Sequence, residues 1–116
     1  MRRETLFLTD IIEAAGHIAD FIRGADLELF QNSEMLRSAV AQKLLVIGEA
    51  AARIPEELKS GYLQVPWRQI VAFRNILAHA YFGIDWNEVW RAATDDCPRL
   101  RDDVIRILAE VSNRTV

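Results

Sequence analysis

Turn-forming residues are scarce in this sequence, and that scarcity limits the possible folds more than any other feature. Its 116 residues include only five glycines and three prolines. A many-stranded β fold needs turns at short intervals, which glycine and proline usually provide. The sequence therefore predicts a few long helices, and at this length we expect one all-α domain that covers residues 1–116.

Apolar residues recur at helical spacing and divide the first half of the chain into two helices. The first is predicted over residues 4–23, ending near Gly24. A polar connection leads to a second helix, with Asn32 or Ser33 as its N-cap, that runs to about residue 54. The later part of this helix, "LLVIGEAAARI", is apolar on nearly all sides, which is typical of a helix buried among several neighbours.

Proline and glycine mark the boundaries in the second half. Pro55 is predicted to start a short helical turn that Gly61 ends, and Pro66 to start a helix that Gly83 closes.

Asp85 and Glu88 form the pattern of a capping box for the last helix, and Pro98 should kink or break that helix near Asp96 or Cys97. The predicted fold is an all-α, up-and-down bundle of four main helices plus one short helix.

Composition and charge exclude several classes of protein. A net charge of −3 argues against a generally basic surface for nucleic acid, although it leaves room for a local basic cleft. The single cysteine, Cys97, permits no intramolecular disulfide. The apolar run near the N-terminus is broken by Thr9, Asp10 and Glu13, so neither a signal peptide nor a membrane span is expected, and the protein is predicted to be cytoplasmic.

The segment "FRNILAHAYFG", residues 73–83, places several reactive side chains in an otherwise apolar helix. Histidine can exchange a proton near neutral pH, and arginine can clamp a phosphate and stabilise the charge that develops on it. Asparagine can hold an imidazole or a phosphate oxygen, and tyrosine can stack on a base. Arg74, Asn75, His79 and Tyr81 therefore suit cleavage of a phosphodiester.

In RNA the neighbouring 2′-hydroxyl can act as the nucleophile, so this chemistry requires no metal ion. His17, His79 and Cys97 do not make a convincing transition-metal site, and no cofactor is predicted.

Helix geometry limits how these side chains can cooperate. Arg74 and His79 lie roughly 140° apart on an ideal helix, so the two cannot reach one small target unaided. Either the helix unwinds near His79 or a second copy of the chain completes the site across a two-fold axis, and we favour the second. Arg74 could instead be a buried ion-pair partner and His79 a cap at the helix C-terminus.

Glu49 is conspicuous in the apolar part of the second helix. It could pair with Arg53 four residues later or reach solvent. Alternatively, its carboxylate could orient a site residue on an adjacent helix.

The octamer "RNILAHAY" resembles the Arg-x4-His-x-Tyr signature of HepT-like toxins, a branch of the HEPN superfamily of small helical ribonucleases. The segments "IGEAA", "VPWRQIVAFRN", "GIDWNEVW" and "CPRLRDDV" follow the pattern of the same family, so the resemblance spans nearly the whole chain.

The resemblance implies a homodimeric bundle whose paired motifs form a cleft, acting as a metal-independent endoribonuclease. Arg74 and His79 would be catalytic, with Asn75 as their polar support, and Glu49 matches a family position without a clear role. It further implies a toxin that an MNT-type nucleotidyltransferase antitoxin neutralises, in some pairs by transferring AMP to the tyrosine that is Tyr81 here. The alternative function is a non-catalytic module that binds such a nucleotidyltransferase and, secondarily, nucleotides or RNA.

Overall fold

Long helices dominate the computed structural model, which describes residues 2–114 apart from the side chains of Arg2 and Tyr81. In chain order the α-helices are α1 (Arg2–Phe21), α2 (Leu27–Asn32), α3 (Glu34–Arg53), α4 (Glu56–Lys59), α5 (Trp67–His79), α6 (Trp86–Arg91) and α7 (Cys97–Arg114). A 3-10 turn covers Tyr81–Gly83, and a π-helical turn, Ala92–Asp96, joins α6 to α7. No strand occurs within residues 2–114, which confirms the predicted all-α class.

α3 and α7 pack against α1, and α5 packs against α3. Apolar stripes at spacings of three and four residues account for these contacts, because such residues share one face of a helix. On α1 the stripe is Leu8, Ile11, Ala15 and Ile18, and on α7 it is Leu100, Val104, Ile107 and Val111, all buried. α5 and α7 make few direct contacts, so the bundle stays open between them.

The ends of α1 and α3 lie where the sequence predicts them. Gly24 adopts a φ of 78°, a left-handed conformation that glycine takes without steric cost, and it follows α1 closely. Ser33 caps α3, since its side chain accepts a hydrogen bond from the Leu36 N–H at 3.1 Å. α3 then runs to Arg53, one residue short of the predicted end.

The sequence predicts a polar connection where the structure has the helix α2. Asp26 caps it by accepting a hydrogen bond from the Leu29 N–H at 2.9 Å. Phe30 anchors it: the ring is fully buried, with ring centroids 5.1 Å from Trp90 and 6.2 Å from Trp86. Packing against distant aromatic residues therefore stabilises a helix that its own polar composition does not suggest.

Pro98 interrupts the last helix as predicted. The Cys97 N–H bonds to the Ala92 carbonyl five residues back, which is the spacing of a π-helical turn, and α7 begins there. A proline at position 98 cannot donate the next hydrogen bond, so a change of helical spacing is expected at this point. Asp85 caps α6 by accepting from the Asn87 N–H, but the Glu88 carboxylate pairs with Arg91, so the predicted capping box is confirmed only in its first half.

Candidate functional site

An open groove of about 750 Å³ lies between α1, α3 and α5 and contains most of the candidate residues. We call it the α1–α3–α5 groove. Arg74, Asn75 and His79 line it from α5, and Glu49 and Arg53 line it from α3. Leu45, Val46, Ala50 and Ala78 supply its apolar surface.

Arg74 reaches this groove because α3 and α5 approach very closely at Gly48. A Cβ built on Gly48 would lie 2.2 Å from the Cβ of Arg74 and 2.6 Å from its Cγ, so only glycine leaves room for the arginine there. The side chain of Arg74 is 21% exposed. It therefore lies at the edge of the interior, neither sealed in the core nor free in solvent.

Two polar neighbours fix the guanidinium of Arg74. Its Nε donates a hydrogen bond to Oδ1 of Asn75 at 2.9 Å, and its Nη1 donates to Oε2 of Glu49. A planar guanidinium held through two different nitrogens has little rotational freedom and keeps further N–H groups for a ligand. Asn75 therefore contacts Arg74, while its role as polar support of the catalytic residues stays a prediction.

Glu49 contacts one arginine on its own helix and one on the adjacent helix. Its Oε1 accepts from Nε of Arg53 at 3.3 Å, the pairing four residues along the same helix, while its Oε2 bonds Arg74 on the adjacent helix. The carboxylate remains 52% exposed, so both contacts are made at the surface of the groove. One carboxylate thus joins two arginines from two helices.

His79 is the last residue of α5 and lines the same groove as Arg74. The predicted end of this helix at Gly83 is wrong: Ala80 has φ −130° and ψ 41°, which ends the α-helix, and the 3-10 turn follows. The imidazole is exposed and makes no hydrogen bond or ion pair with other described residues, so it does not cap α5. One chain therefore brings Arg74 and His79 to a common groove; completion by a second copy stays a prediction.

Tyr81 opens the 3-10 turn two residues beyond His79. Its side chain lies outside the part of the chain that the structure describes, so its predicted role is not tested by the geometry.

Two further residues line the groove from α1, and sequence reasoning missed both. Phe7 is half-buried and Asp10 is exposed, and they form the wall that α1 contributes to the groove. In the sequence, Asp10 is noticeable only as a charged residue that interrupts the apolar run near the N-terminus. Their spacing of three residues places both on one face of α1.

The charges of the groove balance while His79 is neutral. Arg53 and Arg74 carry two positive charges, and Asp10 and Glu49 carry two negative charges. A proton on the imidazole would leave the groove net positive.

Metal-binding and thiol chemistry have little support in the structure. Within residues 2–114, no group of three or more histidine, cysteine, aspartate or glutamate side chains could hold a metal ion. Cys97 is buried, and this burial, with Asp96 adding to it, raises the pKa of its thiol to about 12. A thiol that keeps its proton is a poor nucleophile. No helix within the same residues is long and apolar enough to cross a membrane.

A second groove, of about 580 Å³, lies on the other side of α5, where the bundle is open towards α7. Its surface is largely apolar and includes Ile70, Phe73 and Ile76 of α5. The side chain of Ile76 is 51% exposed at this groove.

Comparison with known proteins identifies the family. The family model described as "Ribonuclease HepT-like" matches residues 11–107. The protein named "Putative RNase MJ1380" from Methanocaldococcus jannaschii is 39% identical over 98 residues, which cover 84% of this chain and 90% of that protein. "Probable ribonuclease HepT" from Thermococcus cleftensis is 37% identical over 95 residues, 82% of this chain and 86% of that protein. No solved structure gives a significant match. The chain belongs to the HepT-like ribonuclease family.

Proposed function

We propose that this HepT-like protein is an endoribonuclease that cuts RNA in the α1–α3–α5 groove, with Arg74 and His79 as its catalytic residues. The observation that carries the proposal is that Arg74, held by Glu49 and Asn75, lines the same open groove as the His79 imidazole, which has no partner among the described residues. The family name and the ribonuclease names of the relatives support the same reaction class.

The reaction is a transfer of the phosphoryl group within the RNA strand. The 2′-oxygen attacks the adjacent phosphorus, the bond from phosphorus to the 5′-oxygen breaks, and a 2′,3′-cyclic phosphate and a 5′-hydroxyl result. The imidazole of His79 takes the proton from the 2′-hydroxyl or delivers one to the departing 5′-oxygen. Arg74 stabilises the negative charge that builds on the phosphate oxygens during the transfer. These steps need no metal ion.

Two proton transfers favour a dimeric site. Each chain offers one imidazole to the groove, whereas the reaction needs both a base and an acid. Ile76 and Phe82, each three positions from His79 in sequence, expose apolar side chains near the end of α5. A two-fold axis near this point would cover these side chains and bring two copies of His79 together. We therefore propose a homodimer, which sedimentation analysis would detect and which Ile76→Lys should weaken.

A cleavage assay with matched variants tests the catalytic assignment. RNA is incubated with the purified chain in EDTA beside His79→Ala and Arg74→Ala, and we expect each change to lower the rate by about a hundredfold or more. His17→Ala is the histidine control, because His17 is exposed on α1 and stacks on Phe21. Arg106→Ala is the arginine control, because Arg106 pairs with Asp103 on α7. Intact RNA with the folded, unmodified parent, or equal cleavage by His79→Ala, would refute the proposal.

We further propose that the protein acts as the toxin of a toxin–antitoxin pair and that Tyr81 is its regulatory position. An MNT-type nucleotidyltransferase would join the α-phosphate of ATP to the Tyr81 oxygen and release pyrophosphate. The added phosphate would bring negative charge and bulk close to His79, which would repel and block the RNA strand.

Mass spectrometry after co-expression with such a nucleotidyltransferase tests this role. We expect whole AMP units on the parent and on Tyr62→Phe, which changes the other tyrosine of the chain, and none on Tyr81→Phe. AMP adducts that persist on Tyr81→Phe would remove Tyr81 from the role.

A second candidate function is a non-catalytic module that binds the nucleotidyltransferase. The observation that favours it is the charge balance of the groove, because Glu49 already neutralises part of the charge that RNA would need. Expression in growing cells separates the two functions. Growth arrest that His79→Ala relieves supports the ribonuclease, and the absence of arrest supports the binding module.

A further inference from the structure

Asp10, on the wall that α1 contributes to the groove, has no evident structural task. Asp10 lies in the middle of α1 (Arg2–Phe21), so it caps neither end of the helix. Its carboxylate makes no ion pair or hydrogen bond with other described residues, although two arginines line the same groove. Both of those arginines are bound to Glu49 instead. Asp10 is therefore the carboxylate of the groove whose acceptor positions remain open.

Phe7 stands beside it in a position suited to stacking. Asp10 is three positions after Phe7, so both side chains project from the same face of α1. The ring is half-buried, which means that one part packs on the core while another part faces the groove. It makes no contact with another aromatic ring among the described residues, in contrast to Phe21 and Phe30. A fixed aromatic surface of this kind suits a flat ligand.

We propose that Phe7 and Asp10 form a nucleobase subsite that selects guanine beside the cleaved phosphate. An ionised carboxylate only accepts hydrogen bonds. Guanine presents two adjacent donors, N1–H and N2–H, which fit the two oxygens of one carboxylate. Uracil places its N3–H between two carbonyl oxygens, and adenine and cytosine pair an amino group with an acceptor nitrogen, so each of these bases meets repulsion at Asp10. Phe7 would stack on any base, and Asp10 would supply the selection.

This subsite rests on the proposed cleavage of RNA, but base binding can be measured without cleavage. Calorimetric titration with 3′-GMP, 3′-AMP, 3′-CMP and 3′-UMP gives the affinity of the folded protein for each base. We expect the parent to bind 3′-GMP at least tenfold more tightly than the other three nucleotides. Asp10→Asn should remove that preference, because the amide offers one acceptor in place of two.

Phe7→Leu should weaken the binding of all four nucleotides by about five- to a hundredfold, the range expected for the loss of one stacked base. Glu13→Gln is the matched control for Asp10→Asn, since Glu13 is also exposed on α1 but does not line the groove. Thermal unfolding verifies the fold of each variant, and Asp10→Asn carries the test should Phe7→Leu fail to fold, because Asp10 is at the surface.

The outcomes separate the subsite from the ribonuclease. Binding of 3′-GMP that depends on Asp10, without any cleavage of RNA, would support the subsite and refute the catalytic proposal. Cleavage after all four bases at equal rates, unchanged in Asp10→Asn, would overturn the subsite and leave the ribonuclease standing. Equal affinity of the parent for the four nucleotides would also overturn the subsite.

Discussion

Replacing Gly48 with alanine tests the close approach of α3 and α5 on which the candidate site depends. The new Cβ would lie 2.2 Å from the Cβ of Arg74, whereas carbon atoms in contact lie about 3.5–4.0 Å apart. The two helices would have to separate by more than about 1 Å, or Arg74 would have to leave its place. Either response breaks the geometry that joins Arg74 to Glu49.

The expected cost follows from two opposing effects. Overpacking of this kind costs about 1–3 kcal/mol, and a clash with a Cβ and a Cγ belongs at the upper end. Alanine in place of a helical glycine recovers up to about 1 kcal/mol of helix propensity. The free energy of unfolding should therefore fall by about 2 kcal/mol, a decrease of about 8 °C in the melting temperature for a domain of this size.

Gly16→Ala is the matched control, since it is also a glycine within a helix. Its Cβ would meet the flexible Nε of Arg101 at 3.5 Å, an ordinary contact. This variant should gain about 0.5–1 kcal/mol from helix propensity alone. Urea unfolding at one protein concentration measures both variants, and the difference between them should be about 3 kcal/mol.

Cleavage of RNA provides the second measurement on the same proteins. A displacement of about 1 Å in an active site can lower a rate a hundredfold, so Gly48→Ala should lose most of its activity while Gly16→Ala keeps it. Equal stability of the two variants would refute the close approach at Gly48. A destabilised Gly48→Ala with full activity would refute the claim that this approach positions Arg74.

Three further predictions concern single groups. Glu49→Gln should lower the rate of RNA cleavage at least tenfold. It should lower the free energy of unfolding by less than about 1 kcal/mol, because the ion pair with Arg74 is partly exposed. Unchanged cleavage would show that the carboxylate does not position the arginine. Tyr62→Phe removes a hydroxyl that donates to Glu110 at 2.8 Å, so urea unfolding should report a loss of about 1–2 kcal/mol, and an unaltered midpoint would contradict this. Burial raises the pKa of the Cys97 thiol from its ordinary 9.0 to about 12, so between these pH values the unfolded chain holds fewer protons than the folded chain. Stability should therefore fall with rising pH about 1.4 kcal/mol per unit more steeply in the parent than in Cys97→Ala, and parallel pH profiles would refute the shift.

Local patterns were sufficient for most of the helices. The stripe on α1, the cap at Ser33 and the break at Pro98 each depend on neighbours within a few residues, and each lies where the sequence predicts it. α2 was missed because its stability comes from Phe30, whose partners Trp86 and Trp90 are distant in sequence. Helix propensity and polarity carry no information about such a contact.

The residues of the candidate site were likewise only partly predictable from local sequence. Arg74, Asn75 and His79 share one segment, so their joint presence was visible in the sequence. The contribution of α1 was not, because Phe7 and Asp10 reach the groove only after α1 packs on α3. Glu49 stands out in the sequence, but its contact with Arg74 depends on how α3 packs on α5, which local sequence does not show.

The attachment of α5 to a single neighbour has a consequence for how the protein can be monitored. α5 packs mainly on α3, so the contact between these two helices is what protects the backbone amides of residues 67–79 from hydrogen exchange. A local separation of α5 from α3 would expose these amides to deuterium. Any molecule that binds against this helix, whether RNA, a nucleotidyltransferase or a second copy, should slow that exchange. The same thirteen-residue segment could thus serve as a built-in reporter of occupancy.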